Sequence, residues 1–153
     1  MSHEPLASDV VAEGRAVGVI PARWASTRLP GKSLVPLCGK PMVQWVVERA
    51  KRATSLSDVV VATDDQRILE VVEGFGGHAV MTRPDHPSGT DRIAEATCGI
   101  DADLVVNIQG DEPLVEPALI DRLVSEMTAD PTWDMGTAAA RIESPEDLDD
   151  PSV

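Results

Sequence analysis

Three basic side chains, Arg23, Arg28 and Lys32, lie within ten residues directly after the apolar run V-G-V-I at 17–20. The chain as a whole is acidic, because 13 Lys and Arg stand against 26 Asp and Glu and give a formal net charge of −13. A negative surface repels nucleic acid and anionic membranes, so a phosphate-bearing ligand must be met by a local group of cations. Three fixed cations suit a triphosphate, whose charge must be screened before a nucleophile approaches the α-phosphorus.

The G-K-S at 31–33 does not complete a phosphate-binding P-loop. That motif requires a glycine five residues before Gly31, where this chain has Ser26. The G-x-G-x-x-G of dinucleotide-binding proteins is also missing after the first predicted strand. The cations therefore belong to a long loop between a strand and a helix, at the sheet edge where open α/β folds bind ligands.

A carboxylate follows a second buried run, V-V-N at 105–107. This predicted strand delivers Gln109 and Asp111 to the same sheet edge, and Gly110 permits the turn between strand and helix. Mg²⁺ takes one or two protein carboxylates and leaves its other positions to water and phosphate oxygens, so one aspartate beside a triphosphate suffices as an anchor. Asp111 and Glu112 equally suit an ordinary turn and helix start, and the local sequence leaves both interpretations open.

The segment P-S-G-T-D-R at 87–92 predicts a helix start, and it also offers groups for contact with a ligand. Ser88 or Thr90 is a candidate N-cap, and Gly89 lets the backbone come close to a flat ligand. Backbone groups around Ser88 and Gly89, together with Arg92, offer donors and acceptors that read a base edge. Plain helix capping explains Ser88 and Thr90 equally well.

The acidic segment at 63–65 and two tryptophans are assigned from their positions in the predicted elements. The T-D-D at 63–65 is interpreted as an N-cap and first-turn acids of the following helix rather than as a metal site. Trp45 lies on an apolar helical face and is predicted to be core, while Trp24 is a candidate for the pocket wall.

The elements that must position these side chains follow from alternating patterns. Short runs rich in Val, Ile and Ala alternate with stretches at helical spacing, which is typical of βαβ units and a parallel sheet. Predicted strands lie near 17–20, 58–62, 78–81, 103–107 and 134–140, and predicted helices at 41–53, 64–77, 90–99 and 116–130. We expect one doubly wound α/β domain over 16–153, with a mostly parallel sheet and helices on both faces, after a flexible tail at 1–15.

Composition narrows the cellular setting. No apolar run approaches the roughly 20 residues of a membrane span, and the first 16 residues lack the pattern of a signal peptide. The two cysteines, Cys38 and Cys98, fit free thiols in a reducing compartment. We therefore expect a cytoplasmic protein whose partners include neither nucleic acid nor membrane.

Five segments together carry a family resemblance. The first, IPARWASTRLPGKSLVPLCGKPMVQWVVERA, resembles the opening of the nucleotidyltransferases that activate acidic sugars with CTP, above all those acting on 3-deoxy-manno-octulosonate. The other four agree in order: VVVATDD at 59–65, FGGHAVMT at 75–82, HPSGTDRIAEA at 86–96 and VVNIQGDEPLVEP at 105–117.

The resemblance implies a nucleotide-diphospho-sugar transferase-like fold and an activity. CMP would pass from CTP to an acidic eight-carbon sugar, for lipopolysaccharide biosynthesis, with Mg²⁺ as cofactor and pyrophosphate released. It implies catalytic roles for Arg23, Arg28, Lys32 and Asp111, with Asp111 also holding the metal. The nucleotide-binding residues that it implies are Pro21, Ala22, Arg23, Lys32, Ser88, Gly89, Arg92 and Gln109.

The end of the chain departs from that family. The last ten residues, SPEDLDDPSV, are acidic and proline-rich like a segment between two elements. Members of the family continue further, and their later part supplies much of the sugar pocket, a second acidic metal ligand and the contacts of a homodimer. The expectation is thus an incomplete C-terminus, with three alternatives open: a working enzyme, a truncated non-catalytic CTP-binding fragment, or a cytidylyltransferase for another acidic sugar such as a sialic acid.

Overall fold

The computed structural model describes residues 15–25 and 29–140. Its elements in chain order are β1 (Ala16–Ala22), a 3-10 turn (Lys32–Leu34), β2 (Pro36–Leu37), β3 (Lys40–Pro41), α1 (Met42–Ala50), β4 (Leu56–Thr63), α2 (Gln66–Gly74), β5 (His78–Met81), α3 (Gly89–Thr97), β6 (Leu104–Asn107) and α4 (Pro117–Ala129). The predicted doubly wound α/β fold is confirmed, and the four helices and first four predicted strands are found within a few residues of their expected places.

A four-stranded parallel sheet has the order β5-β4-β1-β6. Strand β1 pairs with β4 on one side and with β6 on the other, so that Val19 lies opposite both Val60 and Asn107. The chain moves outward from β1 through β4 to β5, and then crosses back to the far side of β1. The connections therefore change direction between β1 and β6, which is where open α/β sheets form a ligand crevice.

Different helices cover the two faces of the sheet, and side chains that alternate along each strand pack against one set or the other. Even-numbered β1 residues such as Ile20 and Ala22 pack with α1, α2 and α4 in a cluster that includes Val46, Ile68 and Ile120. Odd-numbered β1 residues, Val17 and Val19, pack with Val60, Ala62, Ile93 and Ala96 under α3. This alternation decides which side chains at the end of β1 can reach a ligand.

Local signals set the helix ends close to their predicted positions. Asp65 caps α2 by accepting a hydrogen bond from the Arg67 amide, and Gly76 after that helix has a φ of 78°, which favours glycine. Ser88 caps α3 through the Asp91 amide, while Thr90 lies inside the helix. The N-cap assignment within 63–65 is thereby confirmed for Asp65, whereas the expected first-turn acids are wrong, because the helix begins at Gln66 and its first turn contains no acidic residue.

Two expectations need correction. Residues 134–140 form no strand and are exposed, because a strand requires a neighbour for its backbone hydrogen bonds and none of the described strands lies beside them. Trp45 is only partly buried: its indole N–H donates to the Leu37 carbonyl at 2.8 Å, and Lys40 covers the ring. The buried side chains of α1 are instead Val43, Val46, Val47 and Ala50.

The ends of the predicted domain lie partly outside the description. Residues 1–14 of the expected tail and residues 141–153 are not described, whereas Arg15 is fixed by hydrogen bonds in both directions with Asp103. Across the described residues, no helix combines the length and apolar character that crossing a membrane would require.

Candidate functional site

A cavity of about 310 Å³ opens at the carboxyl ends of β1 and β6. Its volume lies at the lower end of the range of small-molecule sites, and its position is the crevice where the sheet reverses direction. The loop before α3 closes one side of it. The lining residues are Pro21, Arg23, Lys32, Ser33, Ser88, Gly89, Thr90, Arg92, Asn107, Gln109, Gly110 and Asp111.

Lys32 and Asp111 meet across this cavity. The Lys32 ammonium donates to the Asp111 carboxylate, with 2.7 Å between Nζ and Oδ2, although the residues are 79 apart in sequence. Parallel pairing brings them together, since β6 lies beside β1 and the Ile108 amide extends the ladder by donating to the Val19 carbonyl. Their side chains are 40% and 50% exposed, so both charges remain accessible to a ligand.

Strand alternation places Arg23 at the cavity and removes Ala22 from it. Pro21 and Arg23 continue the odd-numbered side of β1 and line the cavity, whereas Ala22 is 2% exposed and packs in the core beneath α1. The Ala22 side chain points to the other face of the sheet, so only the backbone of Ala22 could contact a nucleotide in this cavity, and its part in nucleotide binding stays a prediction. Arg28 lies outside the described residues.

Two glycines let the backbone close around Pro21. A Cβ on Gly89 would lie 3.4 Å from the Pro21 ring, and a Cβ on Gly110 would lie 3.0 Å from the Pro21 carbonyl oxygen. The Ser88 hydroxyl is occupied locally, because it accepts from the Asp91 amide at 3.1 Å and donates to the Asp91 carboxylate. The backbone around Ser88 and Gly89 is thus held at the cavity by a capped helix start.

Arg92 lines the cavity but is already engaged. Its side chain is 3% exposed, one terminal nitrogen donates to Asp64 Oδ2 at 2.8 Å, and the other donates to the Thr82 hydroxyl. Thr82 in turn donates to the Thr63 carbonyl. Arg92 therefore joins α3 to the ends of β4 and β5, and its part in reading a base stays a prediction.

A second polar contact steadies the loop that leads to Ser88. The His86 ring lies against the Glu95 carboxylate, which also accepts from the Arg83 amide at 3.1 Å. The hydrogen bond from His86, followed by that from the Arg83 backbone, holds the pKa of Glu95 below its ordinary value. An ionised Glu95 thus ties residues 83–86 to α3.

Four of the lining residues were not assigned to the ligand from the sequence: Ser33, Thr90, Asn107 and Gly110. Ser33, Thr90 and Gly110 directly adjoin an assigned residue, and Asn107 lies two positions before Gln109, so neighbourhood in the motif was the available signal. Trp24, a candidate for the wall, is not among the lining residues and packs instead against Gly31.

The donor set limits what metal chemistry is possible. Within the described ranges, no group of three or more His, Cys, Asp or Glu side chains converges on one point. Asp111 is the acidic side chain among the residues that line the cavity. A cation there would depend on oxygen atoms from a ligand or from water.

Comparison with known proteins agrees with the geometry. A family profile described as cytidylyltransferase matches residues 17–152. A 3-deoxy-manno-octulosonate cytidylyltransferase of Geobacter metallireducens is 52% identical over 139 residues, which cover 91% of this chain and 55% of that protein. The enzyme of the same name from Pseudomonas fluorescens is 54% identical over 138 residues, with 88% and 54% covered.

Solved structures give the same result. A CMP:2-keto-3-deoxy-manno-octonic acid synthetase complexed with CTP superposes with a TM-score of 0.75 and 50% identity, covering 77% of this chain and 49% of the other. A cytidylyltransferase of Leptospira borgpetersenii superposes with a TM-score of 0.67 and 26% identity, with 78% and 51% covered. The resemblance noted in the sequence is confirmed. The chain spans about half the length of the curated relatives it matches.

Proposed function

Because the chain belongs to the cytidylyltransferase family, we propose that its cavity binds CTP and that the protein transfers CMP to 3-deoxy-manno-octulosonate, releasing pyrophosphate. The observation that carries the proposal is the meeting of Arg23, Lys32 and Asp111 with the Ser88–Gly89 backbone at one cavity. Cations for phosphate, a carboxylate for a metal and a backbone surface for a base are the parts such a reaction requires.

The phosphate end of CTP is assigned to the cationic side of the cavity. Arg23 and Lys32 would bind the phosphate oxygens, and Arg28 keeps the same predicted role. The Lys32–Asp111 pair is half exposed, so Lys32 can exchange the carboxylate for a phosphate with little loss of free energy. The cytosine is assigned to the backbone around Ser88 and Gly89, above Pro21.

The transfer step needs little covalent chemistry from the protein. The anomeric hydroxyl oxygen of the sugar forms a bond to the α-phosphorus, the bond to the pyrophosphate oxygen breaks, and the hydroxyl proton leaves to solvent. Arg23 and Lys32 stabilise the charge that develops on the departing pyrophosphate. Gln109 donates to or accepts from the sugar or the ribose, as an amide can do both.

The cavity suits Mg²⁺ if the nucleotide supplies most of its ligands. Asp111 offers a half-exposed carboxylate, and Mg²⁺ commonly takes one or two carboxylates together with substrate phosphates. Asp111 would hold the ion beside the phosphates. When bound, the ion supplies positive charge that neutralises phosphate oxygens.

The same proposal includes the pathway and the compartment of the reaction, the oligomeric state and the position of the sugar. The product would serve lipopolysaccharide biosynthesis, and the reaction would take place in the cytoplasm. For the complete family member we expect a homodimer. The sugar is assigned to the side of the cavity next to Gln109.

Pyrophosphate release tests the proposal directly. The chain is incubated with CTP, Mg²⁺ and 3-deoxy-manno-octulosonate, with parallel samples lacking the sugar, containing ATP in place of CTP, or containing a sialic acid in place of the sugar. Release that requires both CTP and the eight-carbon sugar supports the transferase. Release with CTP and the sialic acid, but not with CTP and the eight-carbon sugar, would show that the protein acts on a different acidic sugar.

A second candidate is a non-catalytic CTP-binding fragment. It is favoured by the coverage, since the chain spans 55% of the Geobacter relative, and by Asp111 being the acidic side chain among the lining residues of the described cavity. Titration calorimetry with CTP and Mg²⁺ separates the candidates. Binding without release supports the fragment, and absence of both contradicts either function.

A further inference from the structure

Trp24 lies between the end of β4 and the loop that carries Arg23 and Lys32, the two cations assigned to phosphate. It directly follows Arg23, and its carbonyl oxygen accepts from the Gly31 amide at 2.9 Å, one residue before Lys32. A single residue therefore contacts the backbone next to both cations.

The indole of Trp24 also packs against Gly31. A Cβ added to Gly31 would lie 2.9 Å from the ring carbons, and Gly31 has a φ of 69°. Glycine is thus required at this position for two reasons, its left-handed conformation and the closeness of the ring. The contact fixes where the turn that carries Lys32 begins.

Two acids at the end of β4 hold Trp24, one directly and one through Arg67. Asp64 Oδ1 accepts from the Trp24 amide at 3.3 Å, and its other oxygen accepts from the buried Arg92. Asp65 makes a two-pronged hydrogen bond with Arg67, at 2.8 and 2.6 Å, and the Arg67 guanidinium carbon lies 3.3 Å from the Trp24 ring centroid. The aspartates after Thr63 therefore fix both the backbone and the ring of Trp24.

From these contacts we propose that Trp24, held by Asp64 and Arg67, is a positioning residue that fixes Arg23 and Lys32 for a triphosphate. The inference rests on the proposed binding of CTP. Charged groups that are fixed before binding lose less conformational freedom when the ligand arrives, and this raises affinity for the phosphates rather than for the base. Asp64 and Asp65 thereby gain a role that helix capping alone does not give them.

The test compares three variants of the full chain. Trp24→Leu removes the flat ring, Trp24→Phe keeps a ring that can stack, and Trp133→Leu removes an exposed tryptophan outside the cavity as the matched control. Affinities for CTP and CMP with Mg²⁺ are measured by calorimetry, and exchange of the Gly31 amide by NMR.

A positioning role predicts a loss specific to the triphosphate. Trp24→Leu should weaken CTP binding about tenfold, the size of a stacking and cation–π contact, and weaken CMP binding much less. The Gly31 amide should exchange about tenfold faster in the same variant. Trp24→Phe should restore most of both values, and Trp133→Leu should match the parent.

Two results would overturn the inference. One is Gly31 exchange in Trp24→Leu that stays within about twofold of the parent. The other is an equal loss of CTP and CMP affinity. A parent chain that binds no CTP would count against the proposed function, whereas Gly31 exchange would still decide whether Trp24 fixes the turn.

Discussion

Two ion pairs flank the carboxyl end of β1, and they differ in burial rather than in length. On the β6 side, Lys32 and Asp111 are 2.7 Å apart with side chains 40% and 50% exposed. On the β4 side, Arg92 and Asp64 are 2.8 Å apart with side chains 3% and 11% exposed. The same sheet edge thus carries one open pair and one closed pair.

This difference in exposure indicates different roles for the two pairs: the open pair is suited to ligand binding and the closed pair to holding the fold. An exposed pair gains little from its attraction, so its members can leave one another for a ligand. Both members of a buried pair have lost water, and neither can be removed without leaving an uncompensated charge. We therefore expect the crevice between β1 and β6 to receive the proposed ligand, while the β4 side holds the elements that form the crevice.

Breaking the closed pair should have the largest effect. Asp64→Ala leaves the buried Arg92 guanidinium with Thr82 alone among its hydrogen-bond partners and should lower the free energy of unfolding by about 3–5 kcal/mol. Lys32→Met, the matched change in the open pair, should lower it by less than about 1 kcal/mol. Urea denaturation of both variants measures the difference, and equal losses would contradict the comparison.

The open pair should dominate catalysis instead. If Lys32 and Asp111 act on the transition state, Lys32→Met or Asp111→Asn should lower turnover by about 10²- to 10³-fold, or about 2.7–4 kcal/mol. Pyrophosphate release measures this effect, and the CTP dissociation constant replaces it for a chain without turnover. Lys51→Met, a change at an exposed lysine outside the cavity, is the control. Turnover within threefold of the parent in both variants would reject the assignment.

Two glycines beside Pro21 should differ in the stability lost when each is replaced by alanine. Gly110→Ala puts a methyl group 3.0 Å from the Pro21 carbonyl oxygen and should lower the free energy of unfolding by about 1–3 kcal/mol. Gly89→Ala meets only the Pro21 ring at 3.4 Å and starts a helix, so stability should stay within about 1 kcal/mol. Its methyl group narrows the cavity and should weaken CTP binding. Thermal unfolding and a CTP titration check both, and a stable Gly110→Ala would show that the close approach to Pro21 relaxes freely.

Much of the cavity could be predicted because its residues follow the carboxyl ends of strands. The apolar runs before Pro21 and Gln109 fixed the two strands, and parallel pairing then required that Lys32 and Asp111 approach one another. The cap at Ser88 could also be predicted, since it depends on residues only three positions apart.

What could not be predicted depends on partners distant in sequence. Ala22 belongs to the same motif as Arg23, but motif membership does not show which face of the strand a side chain takes. The pairing of Arg92 with Asp64 joins residues 28 apart through tertiary contact. The predicted strand at 134–140 had the right composition, but its formation requires a neighbouring strand.

The pair of Asp65 and Arg67, with side chains 17% and 55% exposed, lies between the two extremes of burial, and its loss should cost little stability because the Arg67 guanidinium is open to solvent. The hydrogen bond from Arg67 holds the pKa of Asp65 below its ordinary value of 3.8. A lowered pKa in the folded state means that the pair stabilises the fold at pH above 3.8 and that this contribution is lost as the pH falls through the lower folded-state pKa.

Asp65→Asn isolates that contribution, because asparagine also caps a helix but carries no charge. At neutral pH the variant should be less stable than the parent by under about 1 kcal/mol. The difference should stay constant down to about pH 5 and then shrink as the parent's carboxylate is protonated. Urea denaturation across this pH range measures it. Since Asp65 fixes the guanidinium that stacks on Trp24, a difference that persisted at the most acidic pH would mean that the pair acts by packing rather than by charge.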